Sequence, residues 1–177
     1  METLFQRLLA PLLLLALPAV VQAQFTYTTN NGAITITGYI GSDSLVTIPT
    51  TITGLPVTSI GYRAFGYCTN MTSVTIPTSI TSLGQGAFYF CTSLTNVTIG
   101  VGLTSLGQDV FCYCWSLTSV TIPASVTSIG GSAFYDCSSL TNLTIPASVT
   151  SIGEHAFSFC TRLTSVTIPS SVTNIVW

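Results

Sequence analysis

Five cysteines stand 23 residues apart: Cys68, Cys91, Cys114, Cys137 and Cys160. A sixth, Cys112, lies just before Cys114. Thiols can bind zinc, form disulfides, attack electrophiles or fill a core. Zinc needs ligands converging as a tetrahedron, usually from close pairs such as C-x2-C. Cysteines on a 23-residue beat form a line instead, and the single residue between Cys112 and Cys114 is too few for that clip. Disulfides suit an extracellular chain, but neighbours in a column have Cβ atoms pointing the same way. The favoured reading is a file of free thiols acting as small apolar core residues. Cys112 occupies the slot held elsewhere by Tyr89 and Tyr135, so it is expected to be more exposed and reactive.

Catalytic chemistry has less to work with. His155 is the single histidine, beside Glu154 in "GEHAF". Ser and Thr abound, yet no serine has the sequence context of a nucleophile elbow. Asp43, Asp109, Asp136 and Glu154 are spread along the chain, and Asp109 and Glu154 fall in neighbouring columns with a whole unit between them. Paired acid–base work is not expected. The reading is non-enzymatic, with no cofactor and no metal.

Composition narrows the partners. Of 177 residues, 47% are hydrophobic and 5% charged, and the net charge is −2. Such a chain has no electrostatic footprint for nucleic acid and no polybasic patch for anionic lipid. Its polar surface must be built from hydroxyls. Residues 1–23 read as a secretory signal peptide: Arg7, the apolar run "LLAPLLLLALPAV", then Val21 and Ala23 before a cleavage site. The run is short of the ~20 residues that span a bilayer, so no stable membrane insertion is expected after cleavage.

The elements that position these residues repeat. Phe65, Phe88, Phe111, Phe134 and Phe157 share the 23-residue period, and so do Gly61, Gly84, Gly107, Gly130 and Gly153. The unit reads V-T-I-P-x-S-V-T-S-I-G-x-x-A-F-x-x-C-x-x-L-T-S/N. "LTSVTIP" alternates, with Val120 and Ile122 on one side and Ser119 and Thr121 on the other, as a half-buried strand does. Pro123 ends it. Gly130 is expected to supply a positive-φ turn. Ala133, Phe134 and Cys137 have the spacing of one helical face, so a single helical turn is expected there. One unit cannot bury its apolar face, but stacked units can.

This pattern resembles the BspA-like leucine-rich repeat family of bacterial surface proteins, through I-P after the strand, I-G-x-x-A-F in the turn and the following C. The resemblance covers residues 45–177. It implies a curved right-handed solenoid, with parallel strands on one face, short helical turns on the other, and a secreted or cell-surface bacterial location. It also implies adhesion to host or matrix proteins and to other cells.

The expected organisation is a signal peptide at 1–23, an N-terminal β-hairpin cap at 24–44 turning at Asn31-Gly32, and a solenoid at 45–177. The solenoid has five complete coils and a truncated sixth. The first unit, residues 46–73, is 28 long and reads as an adaptor. "VTIPSSVTNIVW" starts a sixth coil without the expected Gly and A-F-x-x-C. It reads as a fragment of a longer protein, or with Val176 and Trp177 as a crude lid, and its edge invites end-to-end self-association.

Two surfaces remain for binding. The strand face is expected to display Ser73, Asn96, Ser119, Asn142 and Ser165, with Thr75, Thr98, Thr121, Thr144 and Thr167. This lattice could bind protein or glycan, serve a structural spacer, or match an ice surface. Thr also simply suits exposed strands. Asn70, Asn96 and Asn142 lie in N-x-T sequons that follow from the repeat. On the turn side, Trp115 replaces a Ser or Thr of the other units and is the candidate aromatic anchor, amid Tyr62, Tyr67, Tyr89, Phe90, Tyr113, Tyr135 and Phe159.

Overall fold

A computed structural model describes residues 24–176; the signal peptide read at 1–23 and Trp177 lie outside the described residues. The chain begins with an antiparallel hairpin, β1 (Phe25–Asn30) and β2 (Ala33–Tyr39). Asn31 and Gly32 turn it with φ of 50° and 75°. Both central residues of such a tight turn need positive φ, which Asn-Gly supplies at low cost.

The adaptor unit follows: β3 (Leu45–Thr47), β4 (Thr51–Ile52) and β5 (Leu55–Ile60). β4 and β5 pair antiparallel around Thr53 and Gly54. That small hairpin absorbs the extra residues of the first unit. β5 also pairs in parallel with β2, so the N-terminal hairpin seats directly on the solenoid.

Each later coil contributes a pair of strands. These are β6 (Ser73–Ile76) and β7 (Ser82–Leu83), β8 (Asn96–Ile99) and β9 (Ser105–Leu106), then β10 (Ser119–Thr121) and β11 (Ser128–Ile129). β12 (Asn142–Thr144), β13 (Ser151–Ile152) and a final β14 (Asn174–Ile175) complete the set. The first strands form a five-stranded sheet in the order β12-β10-β8-β6-β3, parallel throughout. The second strands stack as β5-β7 and as β9-β11-β13-β14. Register follows the repeat: Val74 faces Val97, and Ser128 faces Ser151.

Among the described residues there is no helix. Where a helical turn is expected, the chain makes consecutive turns instead. Ala133, Tyr135 and Cys137 return their N–H groups to the carbonyls of Gly130, Ser132 and Phe134, three residues back. Ser132, Phe134 and Asp136 donate to Glu154, Ala156 and Ser158 of the next coil, at 2.8 Å each. A helix would keep all these bonds inside the segment. Here half are spent between coils, which requires left-handed backbone at Ser132 (φ 54°) and Asp136 (φ 52°).

That geometry corrects the role expected of Gly130, whose φ is not positive. Its hydrogen occupies the only space available, because a Cβ there would lie 2.7 Å from the backbone of Gly107 and Gln108. Close stacking of coils, rather than turn conformation, explains this glycine.

The core is one continuous column. Phe65, Phe88, Phe111 and Phe134 are fully buried. Successive rings stack at 5.0, 5.5 and 5.5 Å, and Phe157 continues the file at 5.7 Å. Each such pair adds about 0.5–1.5 kcal/mol beyond the area it buries. The strand expected at 163–169 does not form. Among the described residues no coil stacks above it, and Ile168 is 48% exposed where Ile145 is 5%. A segment that buries so little gains little by pairing.

Candidate functional site

The cysteines are core residues. All six are free. Cys91, Cys114, Cys137 and Cys160 give their thiol protons to the carbonyls of Phe65, Phe88, Phe111 and Phe134, at 3.0–3.3 Å. The file thus ties each coil to the one before it. Burial raises the Cys114 and Cys137 thiols well above the usual range and pushes Cys160 up to about 11. Cys112 is not the exposed, reactive thiol expected from its slot. It is 4% exposed, and its thiol is pushed up to about 12 by burial, with Asp109 and Asp136 adding to the effect. Tyr113 and Tyr135 line the same hollow.

Around His155 the structure adds a residue that the sequence reading overlooked. Nε2 meets Glu154 Oε1 at 3.1 Å, and Nδ1 lies 3.4 Å from Ser158 Oγ. The residue types are those of a nucleophilic triad. The serine contact exceeds the reach that proton abstraction needs, and the His155 and Glu154 side chains are more than half exposed, so water competes for each contact. Among the described residues no group of three or more His, Cys, Asp or Glu could hold a metal ion.

The strand face carries two kinds of hydroxyl. Thr95, Thr118 and Thr141 donate theirs to the carbonyls of Thr72, Thr95 and Thr118, tying coil to coil. Thr98, Thr121 and Thr144 project from β8, β10 and β12 and are exposed. Asn96, Ser119 and Asn142 flank them, also exposed. Ser73 and Thr75 on β6 are half-buried. Ser165 and Thr167 are exposed but belong to no strand, so they do not continue the lattice. Its regular part spans β6 to β12.

The turn side holds a ladder of rings. Tyr67, Tyr89, Tyr113, Tyr135 and Phe159 follow one another at 5.5, 5.6, 5.5 and 5.1 Å, edge to face. Phe90 bridges Tyr67 and Trp115. Trp115 is 40% exposed and gives its indole N–H to Asp136 Oδ2 at 3.1 Å. The anchor expected there is therefore half of a built pair. The ladder steps alternate between two sequence columns, 22 and then 24 residues apart. A search at one fixed period does not find it.

Two stacked parallel ladders around a dry phenylalanine file define a leucine-rich repeat solenoid. The BspA type leucine rich repeat region matches residues 58–176 in 6 copies, and the chain belongs to that family. It is similar to a T. pallidum leucine-rich repeat protein, with TM-score 0.80 and 31% identity over 87% of this chain and 79% of that one. It is also similar to a leucine-rich cell surface protein of Faecalibacterium prausnitzii, with TM-score 0.70 and 35% identity over 85% of this chain and 37% of that one. The pneumococcal vaccine antigen PcpA shares the fold at TM-score 0.68 and 24% identity, over 86% of this chain and 44% of that one. No curated protein matches the chain.

Proposed function

We propose that this chain is a secreted or cell-surface bacterial interaction module without catalytic activity, binding protein or glycan on its strand face. In this reading residues 1–23 direct export, 24–44 cap the solenoid, and 45–177 form the binding body. The carrying observation is the division of labour among hydroxyls. Thr95, Thr118 and Thr141 spend theirs on neighbouring carbonyls, whereas Thr98, Thr121 and Thr144 make no side-chain hydrogen bond among the described residues. Unspent donors and acceptors on rigid parallel strands suit extended recognition. The cell-surface name of the Faecalibacterium relative supports the location.

The test is capture of the mature chain by immobilised extracellular-matrix proteins and glycans. A Thr98→Glu/Thr121→Glu/Thr144→Glu variant serves as the control. Capture of the wild type alone, with little salt dependence, is expected, because the contacts are neutral. Equal capture of both chains, or steep loss in salt, overturns the reading.

A second reading rests on the C-terminal edge. There Ile152, Ala156, Phe157, Ile168, Ile175 and Val176 line an open apolar hollow of about 510 Å³. A second copy seated on it would make the chain an end-to-end assembly unit. Sedimentation decides: a concentration-independent monomer excludes it.

A further inference from the structure

A hollow of about 270 Å³ opens on the turn side, lined by Arg63, Tyr89, Asp109, Cys112, Tyr113, Ser132 and Tyr135. Its polar groups are held in place. Asp109 accepts from Gln85 Nε2 at 2.9 Å. Asp136, outside the lining and one coil on, accepts from the Trp115 indole at 3.1 Å. The Arg63 guanidinium carbon sits 4.4 Å from the Tyr89 ring centre and 5.3 Å from that of Tyr62, with no carboxylate partner among the described residues. Each is a planar two-pronged group, oriented by a neighbour and still able to bond outward. Around them runs the ring ladder, with Tyr67 55% exposed, Trp115 40% and Phe159 61%.

The occupant must match three features. It must be mainly polar, as the exposed lining is, while offering C–H faces to the Tyr89, Tyr113 and Tyr135 rings. It must offer hydroxyl pairs to the carboxylates and the guanidinium. It must carry little charge, because in the lining Arg63 stands against Asp109 and no single sign dominates. The floor is neutral too: Cys112 is buried, and its thiol stays protonated near pH 7. A sugar chain has C–H faces and a hydroxyl rim at every unit. The ladder repeats at every coil.

We propose that this hollow and its ring ladder form a second binding site, taking a neutral oligosaccharide laid along the solenoid axis. The site shares no residue with the strand lattice and stands whether or not that lattice binds anything.

The test uses the mature chain with Trp177→Phe, so that Trp115 is the one indole left. Cellohexaose and maltohexaose are titrated while indole emission is followed. A saturable change is expected with at least one hexasaccharide, nearly independent of salt. Tyr113→Ala and Asp136→Asn should each weaken it about tenfold or more. Asp136→Asn keeps the side chain's shape, so an unaltered melting curve separates lost binding from lost fold. The Thr98→Glu/Thr121→Glu/Thr144→Glu variant should bind as the parent does, which distinguishes this site from the strand face. No emission change with either sugar overturns the proposal, as does binding that survives both turn-side variants. Loss of binding in the strand-face variant also overturns it. So does a response to hexa-arginine alone that salt abolishes, which would reassign the hollow to a cationic peptide.

Discussion

Cys137 donates its thiol proton to the carbonyl of Phe111, 3.2 Å away in the preceding coil. The same bond recurs at Cys91, Cys114 and Cys160. It explains why the column is cysteine and not alanine: the side chain fills a small core volume and also supplies a donor. Cys137→Ala should cost about 1–3 kcal/mol, from lost packing and a carbonyl with one partner fewer. Denaturant titration of the two chains measures it.

Phe134 is fully buried between Phe111 and Phe157. Phe134→Ala should cost about 3–5 kcal/mol. Thr121, exposed on β10, should cost within about 0.5 kcal/mol when changed to Ala. Thermal melts of both variants check the assignment of inside and outside, and a larger loss for Thr121→Ala would reverse it.

A pair of substitutions separates the two backbone roles within one turn. Gly130→Ala would drive a Cβ to 2.7 Å from backbone atoms of the preceding coil, so it should destabilise by about 1–3 kcal/mol. Ser132→Gly removes a left-handed strain at φ 54° and should be neutral or stabilising by up to about 1 kcal/mol. Melting temperatures that fall for Gly130→Ala and hold for Ser132→Gly confirm the division.

Stability should fall at alkaline pH. Burial holds the thiols of Cys68 and Cys112 at about 12 and that of Cys160 at about 11, above the ordinary thiol value of about 8.5. Well below the ordinary thiol value these thiols are protonated in both states and contribute no slope. As pH rises through that value the unfolded chain loses protons that the folded chain keeps, so unfolding gains ground until the folded thiols ionise near 11–12. Denaturation midpoints should be flat near neutral pH and drop as pH passes about 8.5. A thiol reagent at neutral pH should modify the native chain far more slowly than the unfolded one, Cys112 included.

Much of this architecture is legible in the residues. Phe88 and Phe111 recur at one period and stack, because a coil of fixed length must place like over like. Asn31-Gly32 marks a turn for which few other pairs are suited. What the sequence leaves hidden depends on contacts between coils. Gly130 looks like a flexible joint, and only the neighbouring backbone reveals a steric demand. Ala133, Phe134 and Cys137 have helical spacing, but half the local N–H groups find acceptors one coil away. Cys112 looks exposed by its slot, yet it is 4% exposed, in a hollow it shares with Tyr113 and Tyr135. Ser165 and Thr167 fit the lattice by number and leave it because their segment has too little to bury. On the strand face, residue type and direction were readable, whereas the split between spent and unspent hydroxyls required the bonds themselves.

The bonds from Ser132, Phe134 and Asp136 to the coil above all run parallel to the solenoid axis. Tension applied at the outer turn therefore loads one layer at a time, and the fold should yield as a zipper does. Each rupture would free 23 residues, or about 80 Å of slack. A solenoid built this way would act as a shock absorber, lengthening in steps under shear while the remaining layers hold.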